Sequence, residues 1–216
     1  RPLFPTSLMR IGSISKTITG MAIAKLFQDR KLGLDDKAVS FVPDLVPAAG
    51  FRDARWNNVT LRMMLQHSMG WDRAVGREPA QETVSIAEAL GVRAPATSTD
   101  VVRWLLQQNL HFDPGTKESY TGVEYLFLSI IVERLSGLTY EEFVQKEILE
   151  PAGVRRSMRV GRTLEEGRAF PDDPPYTEAV YTSLLGTSPS VFPYVTGAVP
   201  RPYGEWYNEA LEGTGG

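Results

Sequence analysis

Ser13 and Lys16 stand three residues apart at the head of a strongly apolar stretch. On a helix that spacing sets both on one face with Cβ atoms about 5–6 Å apart, within hydrogen-bonding reach of a long lysine. A serine hydroxyl is a weak nucleophile until a base takes its proton, and a lysine serves as that base when desolvation lowers its pKa. The N–H groups at the start of a helix favour the alkoxide and the oxyanion that follows attack on a carbonyl. The same residues also read as a capped helix start with a solvated lysine, because about one Ser-x-x-Lys arises by chance in a chain of ordinary composition. Here the single instance coincides with a helix start and a core-forming run.

Other reactive residue types offer less. His67 lies in a segment ending at Gly70 and reads as a turn former, and His111, beside Phe112 and Asp113-Pro114, reads as surface or packing. His111 has no partner at metal-ligand spacing, and no metal or other cofactor is expected. Asp35-Asp36, Glu141-Glu142 and Asp172-Asp173 are adjacent pairs whose side chains diverge, which suits caps and solvated faces rather than a glycosidase dyad. Trp71 and the stretch from Tyr203 to Tyr207 are candidates to line a cleft, although tryptophans more often fill cores. The absence of cysteine excludes a disulfide framework, a thiolate metal site and a cysteine nucleophile. With 23 basic against 26 acidic residues, net −3, nucleic acid is not an expected partner. The longest apolar stretch, Met21 to Phe27, is broken by Lys25 and falls far short of the ~20 residues a membrane span needs.

The elements that must position Ser13 and Lys16 are mainly helical. Ile14, Ile18, Ala22 and Leu26 recur every four residues between Ser13 and Lys31, and other apolar residues fill the remaining faces, so this helix is expected to be buried nearly all round and to stop at Gly33. Thr60 caps a short helix through Met63, Met64 and Leu65. Residues 72 to 97 give mixed signals. Ser98 or Thr99 caps a helix carrying Val101, Val102 and Leu105, and Asp113-Pro114-Gly115 turns the chain. A second strongly apolar helix runs from about Gly122 to Ser136, with Thr121 and Glu124 spaced as a capping box and Gly137 as terminator. Thr139 and Glu142 repeat the box for a helix that stops at Pro151. Beyond residue 170, Pro171, Pro174, Pro175, Pro189, Pro193, Pro200 and Pro202 forbid long helices, and no late strand is legible.

Several motifs occur in order: Arg10 through Ser13 to Lys16, Leu32-Gly33-Leu34-Asp35-Asp36, Val59-Thr60-Leu61-Arg62 through His67 to Gly70, Pro114-Gly115-Thr116 through Tyr120, and Ser136-Gly137 through Pro151. This set resembles the serine β-lactamase and penicillin-binding-protein-like superfamily, in its branch of class C β-lactamases, D-alanyl-D-alanine carboxypeptidases and family VIII-type esterases. The likeness covers about residues 7 to 160. It implies Ser13 as the acyl-accepting nucleophile, Lys16 as its proton partner and Tyr120, three residues past Lys117, as the tyrosine of the second motif. Where that motif has asparagine two residues after the tyrosine this chain has Gly122, and where a glycine follows it has Glu124. The asparagine is expected to hold a substrate amide or the lysine, and ester hydrolysis makes fewer such demands.

By the same resemblance the fold is α+β, of the β-lactamase/transpeptidase type. The 216 residues would form one partial domain with a lead-in at 1–12, the helical region with the nucleophile helix at 13–160, and a Pro/Gly-rich extended segment at 161–216. Most of the antiparallel sheet is then expected outside this chain, which looks truncated at both ends. Gly213-Thr214-Gly215 imitates the family's third motif, but fits better the small-residue turn before a later helix. The expected reaction is hydrolysis of a small ester or amide (β-lactam, D-amino-acid peptide or simple ester) through an acyl-enzyme at Ser13. The competing reading is a non-catalytic scaffold or binding module with a degenerate site. Periplasmic, secreted and cytoplasmic locations are all compatible, and oligomeric state is left open.

Overall fold

A computed structural model describes residues 11–154, Met158 and Val160, and two short strands at 187–189 and 198–200. Seven α-helices occur among these residues: α1 (Ser15–Gln28), α2 (Leu61–Leu65), α3 (Arg73–Gly76), α4 (Thr83–Leu90), α5 (Ser98–Leu105), α6 (Val123–Ser136) and α7 (Tyr140–Phe143), the last running into a π-helical stretch, Val144–Leu149. Helix α6 is the hub. Every residue from Val123 to Val132 is buried, and α1, α2, α5 and α7 all pack against it. A helix apolar on all sides has to be enclosed by other elements, and α6 meets that condition. Phe127, fully buried in its middle, is expected to cost about 3–5 kcal/mol on truncation to alanine. Urea unfolding of Phe127→Ala beside Phe27→Ala, whose ring is half exposed on α1, should show that loss for the first variant and less than about 1 kcal/mol for the second.

Helix α1 does not share this environment. Burial follows one stripe, Lys16, Thr19, Ala22, Ile23 and Leu26, which faces α6 and the π-helical stretch. Ile14, Met21 and Phe27 are exposed, so the expectation of burial nearly all round is corrected. Outside that stripe Ile18 is still half-buried against the core, whereas Ile14, Met21 and Phe27 lie open among the described residues. The helix also ends earlier than Gly33. Arg30 takes the left-handed conformation at φ 57°, the Lys31 N–H closes back on the Leu26 carbonyl at 2.9 Å, and the Gly33 N–H goes instead to Asp36 at 2.6 Å.

The caps follow side-chain chemistry closely. Thr60 accepts from the Met63 N–H as expected, and Thr139 with Glu142 forms the reciprocal box. For α5 the cap is Thr97, not Ser98 or Thr99, because Thr97 and Asp100 have the box spacing and satisfy each other's backbone N–H groups. Gly137 terminates α6 in the left-handed region at φ 73°, a conformation that costs a glycine nothing. The Thr121/Glu124 box does not form: Gly122 is the N-cap, the Thr121 hydroxyl accepts from the Val123 N–H at 3.1 Å instead, and Glu124 turns into the core.

Strands β1 (Thr187–Pro189) and β2 (Ala198–Pro200) pair antiparallel, Ser188 opposite Val199. Late strand structure is therefore present where the sequence offered none. Short strands bounded by proline carry no periodic signal, and proline is tolerated at strand ends. Asp172-Asp173, Tyr203 to Tyr207 and Gly213-Thr214-Gly215 lie outside the described residues.

Candidate functional site

The chain enters α1 through a 3-10 turn, Gly12–Ile14, that Gly12 opens at φ 50°, a backbone region that other residues rarely adopt. Ser13 sits in this turn, exposed, just ahead of the α-helix rather than inside it. One turn on, Lys16 points inward and is only 8% exposed. Its Nζ lies 4.9 Å from the centre of the Tyr120 ring and 5.7 Å from that of Tyr125.

Tyr120 arrives from the other side, on the segment between the Gly115 turn and α6. The Ser119 N–H donates to the His67 carbonyl at 2.7 Å. Beyond the tyrosine, the Gly122 and Val123 N–H groups donate to the two oxygens of the Glu78 carboxylate, at 2.6 and 3.0 Å. A carboxylate from the distant 72–97 segment thus caps α6, sharing the Val123 N–H with the Thr121 hydroxyl, 3.1 Å away. Lys117 is drawn away to Asp72, Nζ to Oδ2 2.6 Å.

Ser13, Lys16 and Tyr120 therefore converge. Partial burial, the largest influence on the Tyr120 phenol, favours its neutral form, but hydrogen bonding from Lys16 and Ser13 and the charges of Lys16 and Arg73 together outweigh it. The result is a phenol held below its ordinary value of 10.0. Arg73, whose guanidinium lies 5.5 Å from the ring centre, had no role in the sequence reading.

His67 forms a turn, as expected, with φ at 55°. Its ring, however, packs against both Tyr120 and Tyr125, centroids 4.6 and 5.2 Å away and tilted to each. Nδ1 contacts Glu124 Oε2 at 2.5 Å, and the Met69 N–H donates to the other Glu124 oxygen at 3.3 Å. Burial pushes the fully enclosed Glu124 carboxyl well above the usual range, and the nearby Glu78 adds to that push. Burial, then repulsion from Lys16, lowers His67 to about 4. Both shifts favour the uncharged forms, and the Thr121 N–H directed at His67 Nδ1 at 3.5 Å fits an accepting nitrogen.

Sequence reasoning missed Glu78, Arg73 and the role of Glu124. For Glu124 a signal existed: a charged residue inside a run that is otherwise apolar, Val123 to Leu128, has to be buried and partnered. Glu78 carried none. His111 is a packing residue, its ring 4.4 Å from that of Trp71 and its Nδ1 accepting from the Asp72 N–H at 2.9 Å. Trp71 is buried, its indole N–H bonded to the Arg77 carbonyl at 3.0 Å, and so fills core rather than lining a cleft. No cluster of three or more histidine, aspartate or glutamate side chains that could hold a metal occurs among the described residues, and none of their helices is long and apolar enough to cross a membrane.

The family model described as Beta-lactamase matches residues 1–166. Penicillin-binding protein 4* of Bacillus subtilis (strain 168) is 29% identical over 171 residues, covering 78% of this chain and 34% of that protein. A putative D-alanyl-D-alanine carboxypeptidase of Escherichia coli (strain K12) is 24% identical over 140 residues, 65% of this chain and 31% of that protein. The chain thus spans about a third of the length of these curated relatives. Among solved structures, the octameric penicillin-binding protein homologue from Pyrococcus abyssi aligns with all of this chain and 42% of its own, at TM-score 0.60 and 26% identity. A D-stereospecific amidohydrolase from Streptomyces sp. shares the fold at TM-score 0.65 and 18% identity, over 97% of this chain and 56% of its own.

Proposed function

This chain belongs to the serine β-lactamase and penicillin-binding-protein-like superfamily, and from that membership we propose that it carries the nucleophile region of a serine hydrolase cleaving a small ester or amide through an acyl-enzyme at Ser13. The observation that carries the reading is the convergence of an exposed serine, a buried lysine and a tyrosine whose phenol is biased toward ionisation. On this proposal, residues 13–160 are the helical region of a larger α+β domain, the 1–12 lead-in and the 161–216 segment flank it, and an antiparallel sheet completes it.

Ser13 Oγ attacks the substrate carbonyl carbon and its proton passes to Lys16. The Ser13 N–H donates to the developing oxyanion. Lys16 and Tyr120 act as one coupled proton-transfer unit. Tyr120 gives a proton to the leaving alkoxide or amine as the carbon–heteroatom bond breaks, leaving an ester on Ser13. The phenolate then takes a proton from water, whose oxygen attacks that ester, and Lys16 returns its proton to Ser13 Oγ as the acid departs. Gly122 presents no side chain to a substrate amide, which favours esters among the candidate substrates.

Intact mass after incubation with a fluorophosphonate tests this, using the 216-residue chain, the longest product of its gene, and a Ser13→Ala variant of each. We expect one adduct on the longest product and none on its Ser13→Ala variant. No adduct on either chain would overturn the hydrolase reading in favour of a non-catalytic scaffold, the alternative that Gly122 also supports.

A further inference from the structure

Among the described residues Glu124 is the one carboxyl enclosed completely, at 0% exposure, and the proton transfers assigned to Ser13, Lys16 and Tyr120 make no use of it. It lies four residues beyond Tyr120, on the first turn of α6, and reaches across to the turn that follows α2. Two contacts hold it there: His67 Nδ1 at 2.5 Å and the Met69 N–H at 3.3 Å. The imidazole it grips lies against the rings of both Tyr120 and Tyr125, tilted by 47° and 38°, and Tyr125 is itself anchored by its hydroxyl donating to the Leu65 carbonyl at 3.0 Å. The chain of contacts runs from the core of α6 to one face of the Tyr120 ring, while Lys16 lies toward the same ring.

We propose that Glu124 and His67 are positioning residues for Tyr120: the carboxyl clamps the imidazole, and the imidazole face fixes the phenol beside Lys16 without adding net charge to the site. This rests on the hydrolase reading above, in which Tyr120 moves protons. The absence of charge matters because other groups already set the field. Lys16 from α1, Arg73 from α3 and Glu78 from the loop before α4 all act on this region, as do the phenols of Tyr120 and Tyr125. An ionised carboxylate at Glu124 would compete for Lys16 and oppose ionisation of Tyr120. The neutral pair supplies shape alone. Gly122 sharpens the need for such a support, since the residue two after the tyrosine has no side chain to brace the segment.

The test separates shape from charge. Glutamine at 124 keeps an N–H donor for His67 Nδ1 and an oxygen for the Met69 N–H, whereas leucine keeps neither. With the longest product of the gene and an activated ester, Glu124→Leu and His67→Ala are expected to lower kcat about 10–100-fold with KM changed less than about threefold, the size expected when a reacting group is displaced by a fraction of an ångström to 1 Å. Glu124→Gln should rescue most of the Glu124→Leu loss and leave the midpoints of the pH profile where they are. A Glu124→Gln variant as impaired as Glu124→Leu, or a His67→Ala variant with full kcat, would overturn the proposal. A measurement on the unaltered protein stands apart from any folding defect: its His67 ¹⁵N shifts should report a neutral Nε2–H ring that does not titrate between pH 5 and 8, and an imidazolium there would overturn the neutral pair. Failure of Ser13 to label defeats the hydrolase reading itself. A labelled Ser13 with kinetics insensitive to His67 defeats only this one.

Discussion

Replacing Lys16 with methionine is expected to lower kcat/KM for an activated ester by about 10³-fold, near the middle of the range that a positioned proton-transfer group contributes. Methionine suits the comparison because its length and apolarity preserve the packing of a side chain already 92% removed from solvent, its exposure being 8%. Circular dichroism and urea unfolding should therefore stay close to those of the parent chain while activity collapses. The effect should also refuse to add. Ser13→Ala removes the nucleophile, and a Ser13→Ala, Lys16→Met double variant is expected to be no worse than Ser13→Ala alone, as for residues that act as a unit. A Lys16→Met enzyme within about tenfold of the parent would mean that Ser13 loses its proton to another group, with Tyr120 the nearest candidate.

Tyr120→Phe is expected to cost about 10²–10³-fold in kcat/KM and to reshape the pH profile. The direction follows from the phenol's surroundings. Partial burial alone would raise its pKa, yet Lys16, Ser13 and Arg73 more than compensate, so the folded value lies below 10.0. A phenolate has no proton to give the leaving group, so as pH rises through a midpoint under 10.0 kcat/KM of the parent should fall along that limb. Phenylalanine removes the limb. Stability carries the same sign: an acid whose folded pKa is depressed holds the fold more strongly above that pKa, so Tyr120→Phe should narrow the stability difference between neutral and alkaline pH. A Tyr120→Phe profile superimposable on the parent's would remove Tyr120 from the proton path.

Much of the local structure is written in short-range chemistry. Thr60, Thr139 with Glu142, and Gly137 end or begin helices through contacts within three or four residues, and such contacts survive in any context the chain meets. Spacing misled where two acceptors competed for one role. Thr121 and Glu124 have the box spacing, but Glu78 reaches the α6 N–H groups first, from more than forty residues away, and releases Glu124 to the core. Periodicity likewise identified α1 but not its surroundings, since Ile14, Met21 and Phe27 differ from Ile23 and Leu26 only in which neighbour they face.

The candidate site divides along the same line. By itself the sequence determined that a serine and a lysine share one end of an apolar helix, that a tyrosine precedes a second such helix, and that the ordered motifs belong to one superfamily. Those features depend on residue type and on spacings of a few residues, which backbone geometry converts directly into proximity. Tertiary structure alone decided that Lys16 is buried against the Tyr120 and Tyr125 rings, that Glu78 caps the Tyr120 segment, and that Glu124 and His67 meet behind it. Each of these joins residues tens of positions apart, and each depends on exclusion of water, a property of the packed interior that no single segment possesses.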